Sequence, residues 1–496
     1  MMTRHAMIIG LSLLVAGKGN GATLPDKINL TRGFAVAMAI NKNIDLRGEA
    51  FTATMAGIDL ARSRALYDTL FNVSATGGRS AIPGDPFFST SSGSGSIGLT
   101  QYLPTGGSIV VSTQSGYTSA DTSTTSATND WQSSAGITVT QPLLKNSGRE
   151  TMELSISLAD SARQDSLERF RAVATETVYA AIVAYNHLYT LRQTLEARQT
   201  ALNSAQQMLE EINKKKAKPG PLQRMETANA EYAVAQRRKD LVDADRSVRD
   251  QEASLRYLIG IEGKSQLILI DPPARDEPKE TEDEAVQLAQ ELRTDLKQLR
   301  LAVQTSQLQE RVASHQALPE LNVSLSGGAT GTGNEFGKSY RQLVERPGTF
   351  WQAGMQLNVP LGNTAASNDY LKSKIRTEQA KNQVAALEWK IRNEVESDMR
   401  ALISARLQLQ TADRSRQYAE QRNEEYHKQN RAGAATVQDV LNADNDLTVA
   451  RNAHGDAIET FSNAVAKLWK DIGVLLERQG VRIDDATPAK LAEVKW

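Results

Sequence analysis

The sequence predicts an α+β membrane protein built by internal duplication, in which short two-faced strands contribute to a β-barrel that continues into a tube of very long coiled-coil helices. Three observations carry this reading. The chain is written twice; each copy switches from a strand-rich to a helix-rich composition; and beyond the amino-terminal segment no apolar run approaches the roughly 20 residues a spanning helix needs.

The first 22 residues come before either copy. Arg4 and His5 precede the apolar run Ala6 to Ala16, and small and polar residues follow to Ala22, the pattern of a cleavable secretory signal. After it, an ungapped offset of 250 aligns Ala35-Val36-Ala37-Met38-Ala39 with Ala285-Val286-Gln287-Leu288-Ala289 and Asp45-Leu46 with Asp295-Leu296. The same offset aligns Asn72-Val73-Ser74 with Asn322-Val323-Ser324. Farther on the offset shrinks, so that Pro142-Leu143 meets Pro360-Leu361 and Leu255, Ile259 and Gly260 meet Leu468, Ile472 and Gly473. The expected organisation is a signal (1–22), a first repeat (23–260, strands about 71–144), a linker (261–283), a second repeat (284–473, strands about 321–360) and a tail (474–496).

Between Phe71 and Leu144 stand only four charged side chains but 27 serines and threonines and 10 glycines, which excludes a long helix. Strict alternation in Phe71 to Thr76 and Ile137 to Thr140 gives strands with one apolar and one polar face. The second copy repeats this in Leu321 to Ser326 and Met355 to Val359. Ile97 to Leu103 and Ile109 to Thr113, joined through Pro104-Thr105-Gly106-Gly107, add a hairpin to the first copy, and the remaining glycine- and serine-rich stretches read as loops. Gly93 to Gly98 satisfies G-x-G-x-x-G but opens no helix, so it also reads as a loop rather than a dinucleotide site.

Arg149 to Lys218 and Thr364 to Ala432 run for 70 and 69 positions without glycine or proline, enough for helices of roughly 100 Å. Leu188, Leu195, Leu202 and Leu209 recur every seven residues, a coiled-coil seam. Ser147 to Glu150 and Thr436 to Asp439 have the form of capping boxes. Lys218-Pro219-Gly220-Pro221 and Gly433 break the two long helices at equivalent places, so each turns back as a hairpin.

Composition excludes several functions. With no cysteine there is no disulfide framework, cysteine metal site or thiol nucleophile. With 57 basic and 58 acidic side chains interspersed there is no global field for nucleic acid. The five histidines have no metal-ligand spacing, Gly263-Lys264-Ser265 lacks the earlier glycine of a phosphate loop, and no catalytic set, cofactor or metal site is expected. Only a closed sheet satisfies backbone polar groups in lipid, and four to six strands cannot close alone, so several chains must combine.

The duplicated helix–strands–helix unit, Gln141-Pro142-Leu143-Leu144, Val359-Pro360-Leu361 and the run Gly433 to Ala443 resemble the TolC-like outer-membrane efflux protein family over nearly the whole mature chain. The resemblance implies a homotrimer whose outer-membrane barrel continues into a periplasmic helical barrel. It also implies an exit duct for a tripartite efflux or type I secretion system, served by a periplasmic adaptor and by an inner-membrane pump or ABC exporter. Four strands per chain would be the family's pattern; the extra hairpin leaves twelve or eighteen strands open. A secreted coiled-coil scaffold and a periplasmic adaptor without a channel are the competing readings.

By resemblance Asp439 matches the first acid of the family's pore gate, while Asn442 stands where the second acid belongs and Asp444 or Asp446 is the substitute. Three copies of a carboxylate facing one another in a narrow pore repel and attract cations. Asp439 is equally the third residue of a capping box. Gly220, Lys218, Gly433 and Thr436 mark the hairpin tips where an adaptor would dock, and Pro142 and Pro360 end the strands where the wall becomes helical. Trp131, Trp351, Phe350, Tyr102 and Tyr117 are candidates for an interfacial aromatic belt.

Overall fold

The computed structural model describes residues 27–81, 89–122, 125–214, 221–263, 265–432 and 434–492. The signal segment, Lys218, Gly220 and Gly433 lie outside the described residues. In chain order the first half forms β1 (Lys27–Leu30), α1 (Arg32–Lys42), α2 (Ile44–Arg64), β2 (Leu70–Ala81), β3 (Ser89–Tyr102), β4 (Ser108–Thr122), β5 (Thr125–Pro142), α3 (Arg149–Met152), α4 (Leu154–Lys214), α5 (Pro221–Leu258) and β6 (Gln266–Leu269). The second forms α6 (Glu282–Leu292), α7 (Thr294–Gln316), β7 (Glu320–Gly333), α8 (Phe336–Glu345), β8 (Gly348–Asn358), α9 (Thr364–Arg431), α10 (Val437–Asp471), α11 (Leu475–Arg478) and α12 (Thr487–Leu491).

The duplication is visible residue by residue. Thr31 caps α1 and Thr281 caps α6, 250 positions apart; in each the threonine hydroxyl accepts a backbone N–H three residues on. The extended residues Asn43 and Arg293, at ψ 128° in both, interrupt the helix at the same place in each copy. Ala35, Val36, Ala39 and Leu46 are buried, and so are Ala285, Val286, Ala289 and Leu296.

Two compact units result, each assembled from pieces of both repeats: one from residues up to 43, 177–278 and 401–467, the other from 44–176, 279–400 and 468 onward. In the first unit β1 and β6 pair in parallel, Lys27 with Gln266 through Leu30 with Leu269. Around them pack Ala35, Ala39, Ala181, Tyr185, Leu188, Val248, Leu255 and Ile259. The Tyr185 hydroxyl, fully buried, donates toward the Leu30 and Asp271 carbonyls at 3.2 and 3.0 Å. Burial pushes its pKa up to about 12, so it stays a neutral donor throughout the physiological range. Of the heptad leucines, Leu188 and Leu202 are buried and Leu195 and Leu209 half-buried, so the seven-residue seam faces the interior.

The second unit holds one antiparallel sheet in the order β2-β3-β4-β5-β7-β8. Six strands stand where the resemblance implied four, because β3 and β4 form the extra hairpin, closed by Leu103 N to Gly107 O at 2.8 Å with Gly106 at φ +87°. The strands run longer than alternation alone indicates. Gly93 to Gly98, read as a loop, pairs along β3 with both β2 and β4, since serine and glycine extend a ladder whenever two neighbours supply its hydrogen bonds. A second correction concerns Ser147. Its hydroxyl bonds Leu144 O at 2.7 Å, which leaves Gly148, at φ +89°, as the uncapped start of α3. No described helix is long and apolar enough to cross a membrane.

Candidate functional site

Directly opposed residues of an antiparallel ladder share a face, so the register sorts every side chain of the sheet. One face carries Phe71 and Val73, opposite Leu99 and Ile97, then Val111, Ile137, Val139, Leu325, Val323, Met355 and Leu357. The other carries Asn72, Ser74 and Thr76, then Ser96, Ser94, Gln114, Ser134, Gln132, Ser324 and Gln356. On the polar face hydroxyls satisfy one another, Ser74 with Ser96 at 2.7 Å and Thr76 with Ser94 at 2.8 Å. The apolar face is exposed: Met355 is 75 % and Trp351 80 % accessible. On β5 it spans Trp131 to Val139, about 26 Å along the strand with the buried Ser133 as its polar position, and within the length a tilted barrel strand needs to cross a bilayer.

The aromatic candidates divide between the faces. Trp131, Tyr117 and Trp351 lie on the apolar face, and the Tyr117 and Trp131 rings meet at 5.2 Å. Tyr102 and Phe350 lie on the polar face and leave the belt; Phe350 covers the glycine pair Gly136 and Gly328, where a small backbone leaves room for a ring. Pro142 ends β5 opposite Asn322 and is buried, whereas Pro360 follows β8 and is exposed.

In the first unit the ends of α4, α5, α9 and α10 enclose Met208, Ile212, Ala230, Val440 and Leu441. Beside this apolar cluster Asp444 of α10, 9 % exposed, reaches side chains of the other three helices. Ser204 donates to Oδ2 at 2.7 Å, Asn423 to Oδ1 at 2.6 Å, and His427 Nε2 lies 3.0 Å from Oδ1. Arg237 Nη1 lies 3.7 Å from Oδ2, while the same guanidinium donates to the carbonyls of Ala201 and Leu441 at 2.8 and 3.3 Å. Burial works to raise the Asp444 pKa, but the bonds from Ser204, Asn423 and His427 outweigh it and hold the carboxyl below its usual range. Burial likewise lowers the Arg237 pKa, opposed by Asp444.

The other gate candidates go to different partners. Asp439 closes a capping box: its carboxylate accepts Thr436 N–H at 3.0 Å and the Thr436 hydroxyl at 2.6 Å, and its own N–H reaches Thr436 Oγ1 at 3.2 Å. These bonds lower its pKa, the hydroxyl first. Asn442 is exposed and accepts from Gln438 at 3.0 Å. Asp446 pairs with Arg422 at 2.8 Å on the surface, where ion pairs contribute little. His427 and Arg237 had no signal in the sequence, since their partner lies 17 and 207 positions away on other helices. Among the described residues no cluster of histidines and acids is placed to hold a metal ion.

Residues 285–474 match the family described as outer membrane efflux protein. The matched stretch lies in the second half of the chain. It contributes β7, β8, α9 and α10, and with them Asn423, His427 and Asp444 of the buried hub. Across the chain the fold is that of solved outer-membrane channels. The chain is similar to the CmeC outer membrane channel of Campylobacter jejuni at 16 % identity and TM-score 0.67, covering 92 % of this chain and 88 % of that one. It is similar to the outer membrane protein VceC of Vibrio cholerae at 15 % identity and TM-score 0.64, covering 89 % and 96 %. The open-state MtrE outer membrane channel of Neisseria gonorrhoeae aligns at 14 % identity and TM-score 0.64, covering 90 % and 89 %. No curated protein matches the chain.

Proposed function

We propose that the protein is an outer-membrane exit duct of a tripartite efflux or type I secretion system, a passive channel gated at its periplasmic helical tip. The observation that carries this reading is the sheet, with an exposed apolar face, a hydrogen-bonded polar face, and β2 and β8 as its end strands. A free edge invites another strand, and joining β8 of one chain to β2 of the next removes both edges. Three chains of six strands would close an eighteen-stranded barrel, polar inside and apolar toward lipid. The efflux-protein domain and the likeness to solved outer-membrane channels support the same assignment. A periplasmic adaptor and an inner-membrane pump or ABC exporter complete the system and supply its energy, and the duct itself performs no catalysis. Mature protein extracted from separated outer membranes should give a detergent-corrected mass of three chains by light scattering. A soluble monomer released by urea would overturn the channel reading and promote the coiled-coil scaffold.

In this channel Asp439 and Thr436 hold the start of α10 at the tip, and three copies of Asp439 supply a ring of negative charge. Asp439→Ala should raise the resting conductance of the reconstituted channel. Thr436→Ala, which keeps the carboxylate and removes the cap, should cost about 1 kcal/mol of helix stability and leave cation preference unchanged. Equal conductance changes in the two variants would reduce Asp439 to its capping role.

A further inference from the structure

We infer that α8, inserted between β7 and β8, is an interfacial anchor that seats the barrel in the outer leaflet by binding lipid whose phosphate headgroup carries a net negative charge. The inference rests on the channel reading above. At the end of the sheet away from Pro142 and Asn322, the apolar face is interrupted by Ser115, Ser133 and Gly331, which lie side by side on β4, β5 and β7. Bare hydroxyls facing hydrocarbon would be costly. The helix covers them: Ser133 and Ser339 bond at 2.8 Å and are both fully buried, Ser133 also bonds Ser115, and Ser339 donates to Phe336 O at 3.0 Å. Leu343 is buried over Gly331, where a Cβ would strike the helix backbone.

What the helix turns outward is equally ordered. Phe336, Tyr340 and Val344, at i, i+4 and i+8, form one apolar stripe, 50, 42 and 70 % exposed. Lys338, Arg341 and Glu345, at i, i+3 and i+7, form a separate charged side, with Lys338 bonded to Asn334 at 3.1 Å and Glu335 at 3.4 Å. The stripe continues the sheet's apolar face through a chain of rings, Tyr117 to Trp131, Trp131 to Phe336 at 5.6 Å, and Phe336 to Tyr340 at 5.8 Å. Aromatic rings at the end of an apolar band, next to a helix with segregated apolar and charged sides, fit a hydrocarbon–headgroup boundary. The acyl chains would lie against Phe336, Tyr340 and Val344, and the headgroup phosphates against Lys338 and Arg341.

The chain has no cysteine, so single labels report cleanly. Full-length protein carrying a fluorophore on Val344→Cys, Arg341→Cys or, on the sheet face, Met355→Cys would be reconstituted in phosphatidylglycerol-containing vesicles. Brominated acyl chains and aqueous iodide serve as the two quenchers. The label at Val344→Cys should be quenched by bromolipid and lose most of its iodide quenching, while that at Arg341→Cys keeps it. In pure phosphatidylcholine the Val344→Cys label should regain iodide access, and Arg341→Glu should abolish that difference between lipids. If Met355→Cys meets bromolipid but Val344→Cys meets iodide instead, the anchor fails and the channel stands. If Val344→Cys is shielded from both quenchers, protein rather than lipid covers the stripe and the inference fails. If Met355→Cys is also untouched by bromolipid, the membrane reading itself fails.

Discussion

Replacing Asp444 with alanine is expected to open the channel and to destabilise the helical unit by about 3 to 5 kcal/mol, the range for breaking a buried charge pair from one side. The loss is large because the carboxylate is the common acceptor for Ser204, Asn423 and His427, and because Arg237, with only 12 % of its side chain exposed, would remain charged beside an empty site. These partners come from α4, α5 and α9, so one atom group on α10 ties the two hairpins of the chain together. Circular dichroism melting would read the stability and planar bilayers the conductance. The same geometry fixes a pH dependence. The native pKa of Asp444 lies below the unfolded value, so its contribution is full above the ordinary carboxylate range and is lost as pH falls through the native pKa. Acid should therefore raise conductance in the native channel over that window, and Asp444→Asn should remove the dependence there. An unchanged acid response in Asp444→Asn would mean that another group sets this pH dependence.

The elements that sequence reading located are those whose signal is periodic and local. The leucines from Leu188 to Leu209 repeat at the spacing of a buried seam, and Thr436 and Asp439 are three residues apart, within reach of a single turn. Asp444 was visible only as a substitute acid for Asn442, and its place in a buried hub was not, because its partners are scattered along three other helices. Ser89 to Gly95 shows why the strands were underestimated: serine and glycine have weak strand preference alone, and pairing on both sides overrides it. Phe336 to Glu345 carries little helical signal of its own because ten residues make fewer than three turns, while its stability comes from Leu343 over Gly331 and Ser339 on Ser133. At Ser147 the pattern was right and the backbone was not, since a tight turn had already engaged the hydroxyl that the cap required.

Gly328→Val is expected to prevent assembly of the barrel. Gly328 stands opposite Gly136 in the ladder that joins β5, the last strand of the first repeat, to β7, the first strand of the second. A Cβ at 328 would overlap Ala135 O and stand 2.7 Å from Gly136 Cα and 2.9 Å from the Phe350 ring. Two of these three obstacles are backbone, which cannot rotate away, so valine must push β5 off β7 or carry Phe350 with it. Overpacking of this kind costs typically ~1 to 3 kcal/mol, but here it falls on the one ladder that fuses the two halves of the sheet. Removing the ring in a Gly328→Val/Phe350→Ala variant should restore little, because the backbone contacts remain. Gly337→Ala provides the contrast: nothing lies within 4 Å of its Cβ and it sits inside α8, so alanine should be neutral or stabilising by up to about 1 kcal/mol. Light scattering on outer-membrane extracts distinguishes the cases. A three-chain mass from Gly328→Val would mean that the sheet can part at this ladder and still close, and that the glycine pair under Phe350 is a packing convenience rather than a requirement of the wall.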